Sequence, residues 1–265
     1  MQTIENIPTE LEKMLVSMNI AFKSLFRGRK WLVFTILSLI PLFLTLLIDD
    51  KLLGNRNAEY AFVDIFLGFQ FFLFFSFGCL ILALPISSDE ISDHVIDLYL
   101  VRPVRREVLW ASRWIVLNIS LIVVNFGISL VYFLYFHFWD DSADFFSSVI
   151  DDAYLLVDAF FFILAASLVY GGLFLLVGFI GRRGFALGVM LAIFELFFLS
   201  LLFLSDEPYI PRTNLQVIAD KVFDPVYTFD VDKAPDFLFS LGYVGFVAVA
   251  IFLIGTYYLS NRQFP

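Results

Sequence analysis

A charged segment at residues 87–113 carries the side chains best suited to recognising another molecule. It separates two long apolar runs and has an acid, Glu90, in its first half. Four arginines follow: Arg102, Arg105, Arg106 and Arg113. Ser87 and Glu90 match a capping box, and Pro103 suits the first turn of a second helix. This pattern predicts a helical elbow that docks a partner, against the alternative of an ordinary polar loop.

Three polar side chains lie deep inside apolar runs: Glu195, Gln70 and Asn125. A carboxylate surrounded by hydrocarbon is costly, so Glu195 should face the interior of a helix bundle, either protonated or paired. It would then serve a polar path through the membrane or clamp two helices together, and the sequence leaves both open. For Gln70 and Asn125 the sequence favours hydrogen bonds between helices.

Catalytic and metal-binding arrangements are not expected from this sequence. His94 and His137 are predicted on opposite sides of a membrane, and the single cysteine, Cys79, lies inside an apolar run. The chain contains no G-x-x-x-x-G-K-[ST] loop to cradle a nucleotide phosphate. We therefore expect a protein that is not an enzyme, that holds no cofactor or metal of its own, and that has no nucleic-acid partner.

Membrane helices must position these residues. The chain of 265 residues is 60% hydrophobic, whereas soluble domains average about 45–50% apolar residues. Its long apolar runs match the roughly 20 residues that a helix needs to cross a bilayer. The predicted fold is all-α, a polytopic membrane protein with a single transmembrane domain over residues 1–265. Its six predicted spans are residues 31–48, 61–86, 114–138, 155–180, 185–204 and 237–259.

The distribution of basic residues predicts the orientation. Five Lys or Arg residues precede the first span, four lie in the second loop, two in the fourth loop and one after the last span. The first, third and fifth loops have two, none and three. Because basic residues concentrate on the cytoplasmic side, both termini and the 87–113 segment are predicted to be cytoplasmic.

Two further segments lie outside the predicted spans. Residues 9–27 have apolar side chains at helical spacing and basic residues at their end, which predicts an interfacial helix lying on anionic membrane lipid. The predicted apolar face consists of Leu11, Met14, Leu15, Met18, Phe22, Leu25 and Phe26. Residues 205–236 contain three prolines and are too polar to span, so a short helix at the outer membrane surface is predicted there.

The chain resembles the permease subunits of type-2 ATP-binding-cassette exporters. These have six spans, cytoplasmic termini and an N-terminal interfacial helix. After the second span they carry an acidic residue, a small hydrophobic helix, a Pro-Val-Ser-Arg-like break and a basic residue about seven positions later. The corresponding elements here are Glu90, the sequence VIDLYLV, Pro103-Val104-Arg105-Arg106 and Arg113. The chain departs from the pattern at His94-Val95, where Gly-Thr is common, and at Arg105, where Ser is common.

The resemblance implies that residues 87–113 are a coupling helix seated in a groove of a separate ATPase subunit. Glu90 and Arg106 would brace the elbow, and Arg102 and Arg105 would meet the ATPase, which binds the ATP and Mg. It also implies a cell-membrane exporter built from two permease subunits, identical or related. The apolar faces of the first, second and fifth spans, which lack evident partners within one chain, agree with such a dimer. The alternative is a membrane scaffold or assembly factor that docks a non-ATPase cytoplasmic partner.

Overall fold

The computed structural model of the chain describes residues 10–27, 29–47, 58–87, 105–138, 145–194, 211–223 and 235–261. Within these ranges, the side chains at positions 41, 44–47, 69–70, 72–74 and 182 are outside the description. All regular secondary structure in the described ranges is helical. This confirms the predicted all-α class.

The α-helices of the described ranges are numbered here in chain order. They are α1 (Glu10–Arg27), α2 (Lys30–Leu47), α3 (Ala58–Ile65), α4 (Ser76–Ala83), α5 (Arg106–Phe138), α6 (Phe145–Asp151), α7 (Tyr154–Ala166), α8 (Gly172–Gly178), α9 (Arg182–Ile193), α10 (Pro211–Val222) and α11 (Phe237–Asn261). A π-helical segment, Phe66–Phe75, joins α3 to α4, and a second one, Ser167–Gly171, joins α7 to α8.

Three helices are long and apolar enough to cross a membrane: Arg106–Phe138, Tyr154–Gly178 and Phe237–Asn261. They correspond to the third, fourth and sixth predicted spans. The other predicted spans contain shorter apolar helices, at Lys30–Ile40, Ser76–Ile86 and Arg183–Ile193. The described helices are therefore compatible with a membrane protein, and the count of six spans stays a prediction.

The third span begins earlier than its hydrophobicity alone predicts. Helix α5 starts at Arg106 rather than at position 114, because the Arg105 carbonyl accepts hydrogen bonds from the amides of Val108 and Leu109 at 3.0 and 3.2 Å. The stretch 106–113 is thus helical and continuous with the span. This agrees with the predicted second helix that runs into the membrane.

The second span lies at the centre of the described bundle. Phe62, Phe66 and Phe71 are all buried, and Phe71 packs its ring against Phe162 of α7 at a centroid distance of 4.3 Å. Phe62 also contacts Phe133 of α5 at 5.5 Å, and Phe66 packs on Phe162. The described part of this apolar face, which the sequence left without partners, is therefore covered within the chain, and the second subunit stays a prediction.

Other helices expose their apolar side chains. Ile36 on α2 is 63% exposed, and Met190 on α9 is 69% exposed. The last helix, α11, also exposes apolar side chains, since Phe246 and Tyr257 are each more than 70% exposed. The third and fourth spans also expose apolar side chains, such as Val123 at 62%. Apolar surface that lipid or another subunit must cover is therefore present on the first, third, fourth, fifth and sixth spans.

The segment 205–236 contains the predicted short helix, α10. Its apolar side is inserted into the bundle: Leu215 and Ile218 are buried, and Phe223 just beyond the helix packs against Phe66 and Phe162 at about 6 Å. Helix α10 is therefore packed on the phenylalanine core of the second and fourth spans.

The two π-helical segments meet inside the bundle. Tyr170 of the second segment contacts Phe71 and Phe75 of the first, at ring-centroid distances of 6.5 and 6.1 Å. π-Helices are rare, and most are single-turn bulges that occur frequently at functional sites. The first segment is ten residues long and includes the backbone of Gln70.

Candidate functional site

The structure describes three of the six residues predicted to couple the chain to a partner: Arg105, Arg106 and Arg113. Glu90, Arg102 and Pro103 lie in residues 88–104, outside the described residues. The site is therefore defined by the two ends of that segment, Ser87 and Arg105, and by what each end is fastened to.

The first end is tied to helix α1. Ser24 of α1 donates a hydrogen bond from its hydroxyl to the Pro85 carbonyl at 3.0 Å. The Ser87 hydroxyl donates to the Ala83 carbonyl at 2.6 Å, and Ser87 is fully buried. The last carbonyls of a helix lack partners within that helix. The two serine hydroxyls donate hydrogen bonds to such carbonyls and so fix where the second span ends.

About two turns beyond the second end, a buried arginine ties α5 to the same helix. Arg113 is 0% exposed and donates from Nη1 to Ser17 Oγ at 2.8 Å, to Ser112 Oγ at 3.2 Å and to the Leu109 carbonyl at 3.4 Å. A buried charge is tolerated only where hydrogen-bond acceptors or counter-charges surround it. Arg113 is thus part of the contact between α1 and α5, not of an outward docking surface.

The hydroxyl groups beside Arg113 form an ordered chain. Ser112 Oγ donates to the Leu109 carbonyl at 2.8 Å, so the 2.8 Å contact between Ser17 Oγ and Ser112 Oγ uses the Ser17 proton. Ser17 therefore accepts from Arg113 and donates to Ser112. Each serine hydroxyl thus donates to one defined acceptor, and this order holds the Arg113 guanidinium in a single position.

Arg106 joins the beginning of α5 to the end of α11. Its Nη1 donates to the carbonyls of Ser260 at 3.2 Å and Leu259 at 3.4 Å. A cation is favourable at a helix C-terminus, where carbonyls lack partners. One turn further, Trp110 is fully buried and its indole lies so close to Gly255 that a Cβ there would overlap the ring. Glu90, the other member of the predicted brace, lies outside the described residues, so this pairing stays a prediction.

Arg105 differs from the other two arginines because its side chain is exposed. It is the first described residue after the 88–104 segment, and its carbonyl starts α5. An exposed guanidinium at this position can reach a carboxylate on another molecule, as the sequence predicts.

Helix α1 packs on the protein through Ser17, Ala21 and Leu25, although Leu25 was predicted on the lipid-facing side. Leu11 and Phe22 of that predicted side are 66% and 48% exposed. Sequence reasoning missed Ser17, Ser24 and Ser112. The available signal was the pair Ser17 and Ala21, four residues apart, since small residues mark places where helices approach closely.

The predicted intramembrane polar residues are not brought together by described contacts. Glu195 lies outside the described residues, and so does the side chain of Gln70. Asn125 is buried and donates from Nδ2 to the Leu121 carbonyl at 2.8 Å, and Asn118 donates likewise to Trp114 at 2.7 Å. These two bonds lie within α5, and the helix-to-helix bonds predicted for Asn125 stay a prediction.

At the opposite end of the bundle, a histidine links α5 to the start of the fourth span. His137 is buried, with Nδ1 2.8 Å from the Phe133 carbonyl and Nε2 2.9 Å from Asp152 Oδ2. The Tyr154 hydroxyl donates to the Glu59 carboxylate beside it. No group of three His, Cys, Asp or Glu residues able to hold a metal ion occurs within the described ranges.

No protein-family model, curated protein or solved structure matches this chain.

Proposed function

We propose that the chain is the membrane-spanning permease subunit of an ATP-driven exporter of the ATP-binding-cassette class, with ATP and Mg bound by a separate ATPase subunit. One observation carries the proposal: the helical segments that flank residues 88–104 on both sides are fastened to α1. Ser24 holds the entry through the Pro85 carbonyl, and Ser17 holds the exit through Arg113. A segment fixed at both ends to one helix moves together with that helix.

The arrangement transmits a displacement in two directions. A partner that pushes residues 88–104 acts on α1 through the two serines and on α11 through Arg106. Helix α5 has 33 residues, about 50 Å at 1.5 Å per residue, so tilting its cytoplasmic end moves its outer end as well. Packed helices shift as rigid bodies, and this is how hydrolysis on a partner would change the access of a substrate.

The arginines then have separate roles. Arg102 and Arg105 meet acidic groups of the ATPase, while Arg106 and Arg113 hold the frame on which that contact acts. Two permease subunits, identical or related, would cover the exposed apolar faces of the first, fifth and sixth spans. Glu195 is proposed on the substrate path between them. The chain works in the cell membrane with both termini in the cytoplasm.

The experiment is charge reversal at the docking arginines. Arg102→Glu and Arg105→Glu should lower co-purification with an ATP-binding-cassette ATPase encoded beside the gene by tenfold or more, since like charges across an interface cost several kcal/mol and about 1.4 kcal/mol is tenfold in affinity. ATP hydrolysis should also uncouple from transport while membrane insertion stays normal. Arg183→Glu, at another exposed arginine predicted on the same side, is the matched control.

The outcome separates the proposal from its alternative. Undiminished ATPase binding together with intact transport in both reversed variants would refute the coupling role. If the neighbouring genes encode no such ATPase, and a purified non-ATPase protein binds the chain in a manner that depends on Arg105, then the scaffold function is favoured.

A further inference from the structure

His137 joins the far end of α5 to the turn between α6 and α7. Its ring is buried, with Nδ1 2.8 Å from the Phe133 carbonyl oxygen and Nε2 2.9 Å from Asp152 Oδ2. Asp152 lies in the two-residue turn that separates α6 from α7, and its amide donates to the Ser148 carbonyl at 3.0 Å. The contact between His137 and Asp152 therefore holds the start of the fourth span against the third span.

Both groups that face the His137 ring are hydrogen-bond acceptors, a carbonyl and an ionised carboxylate. A neutral imidazole has one N–H group, whereas the imidazolium has two. The protonated ring therefore satisfies the Phe133 carbonyl and the Asp152 carboxylate together. If the ring is neutral and keeps its bond inside α5, the lone pair of Nε2 faces the carboxylate and the contact becomes repulsive. The closed joint thus requires one proton more than a neutral His137 and an ionised Asp152 hold between them.

The elements around this end of α5 supply acids but no other cation. Helices α2, α3, α6, α7 and α11 pack on α5, and the one lysine or arginine among them is Lys30, at the opposite end of α2. The acids of these helices and of the turn are Glu59, Asp64, Asp151, Asp152 and Asp158, and Tyr154 donates its hydroxyl to Glu59. Histidine is the side chain whose charge ordinarily changes between pH 5 and 8. The charge of this joint therefore changes with the His137 ring.

We propose that His137 is a proton-operated latch on the third span: the protonated ring closes the joint to Asp152, and loss of the proton releases it. Below the pH at which histidine ordinarily titrates, the open and closed joints both hold the proton and the latch has its full strength. Above that pH, closing the joint requires the uptake of a proton, so the latch weakens as the pH rises. Because the Asp152 side chain is 23% exposed, water can solvate the carboxylate once the joint opens.

The latch acts on the end of α5 that is opposite Arg106 and Arg113. Those two arginines hold the other end of the helix to α11 and α1. A closed latch therefore fixes the third span at both ends, and an open latch leaves one end free to move. The inference goes beyond the proposed function, because it requires neither an ATPase nor transport.

The test measures amide hydrogen exchange of the purified full-length chain in detergent micelles at pH 5.5 and 8.5. The reporters are the hydrogen-bonded amides of Asp152 and Leu155 at the turn, and variants are compared at the same pH so that intrinsic exchange rates cancel. His137→Gln removes the titrating ring but keeps an amide that can donate to Asp152, a neutral hydrogen bond that is weaker than a charged one. At pH 5.5 the reporters should exchange about fivefold more slowly in the wild type than in His137→Gln. At pH 8.5 they should exchange at least as fast in the wild type.

Nitrogen-15 NMR of the histidine rings reports their protonation directly, because the chain contains only two histidines, His94 and His137. The His137 ring should be doubly protonated at pH 5.5 and singly protonated at pH 8.5. His94→Gln is the matched control: it leaves one histidine signal and should preserve the wild-type exchange at both pH values.

Asp152→Asn removes the carboxylate from the partly exposed side of the joint and provides the same comparison if His137→Gln does not fold. In this variant the ratio of reporter exchange to that of the wild type should also change with pH. A His137 ring with the same protonation at pH 5.5 and 8.5 overturns the proposal. A ratio between variant and wild type that does not depend on pH overturns it as well, and would make the contact a permanent link.

Discussion

Replacing Ser17 by alanine should destabilise the chain more than the same replacement at Ser24, although both serines lie on α1. Ser17 accepts a hydrogen bond from the buried guanidinium of Arg113 at 2.8 Å, whereas Ser24 donates to a neutral carbonyl at 3.0 Å. Hydrogen bonds to charged groups contribute about 1.5–3 kcal/mol and neutral ones about 0.5–1.5 kcal/mol. We expect Ser17→Ala to cost about 2 kcal/mol and Ser24→Ala about 1 kcal/mol.

The size of the first effect depends on what remains around Arg113. After Ser17→Ala, the guanidinium retains Ser112 Oγ at 3.2 Å and the Leu109 carbonyl at 3.4 Å, both longer contacts. Arg113→Met removes the charge and leaves the two serines hydrogen-bonded to each other. In that background Ser17→Ala should cost only about 0.5–1 kcal/mol. The coupling energy between positions 17 and 113 is then about 1–1.5 kcal/mol, within the range for contacting residues.

The assay is reversible unfolding in mixed detergent micelles, followed by tryptophan fluorescence. Trp110 and Trp114 flank Arg113 in sequence and report on this end of the bundle. Equal costs for Ser17→Ala and Ser24→Ala, or an unchanged cost of Ser17→Ala in the Arg113→Met background, would refute the reasoning. Either result would mean that Arg113 does not depend on α1.

Two further predictions concern packing and the outer end. Gly255→Ala should cost about 1–3 kcal/mol in unfolding free energy, because the new methyl group overlaps the buried ring of Trp110. Gly245→Ala, where a Cβ has nothing within 4 Å, should be neutral or stabilising by up to about 1 kcal/mol. Similar losses of unfolding free energy at both glycines would contradict this packing. In a double-mutant cycle, His137→Gln and Asp152→Asn should show a coupling energy of about 0.5–3 kcal/mol, and additive costs would mean that their 2.9 Å contact contributes no net stability.

Local sequence determined where helices form. Hydrophobic length and helical spacing are properties of a short stretch, so the third, fourth and sixth spans and helix α1 were predicted within a few residues of their observed bounds, apart from the early start at Arg106. Helix α10 was found from the spacing of Leu215 and Ile218. Residues 106–113 mix charged and apolar side chains, so hydropathy placed them in the charged segment 87–113 rather than in the span.

Only the tertiary structure decided which faces are covered. Arg113 looked like a docking residue, and its burial depends on Ser17, which is 96 positions away in the sequence. The second span looked ready for another subunit because phenylalanines at a lipid surface and in a bundle core give the same apolar pattern. Lipid tails are as apolar as the side chains that pack between helices, so hydrophobicity marks a span without showing what contacts it.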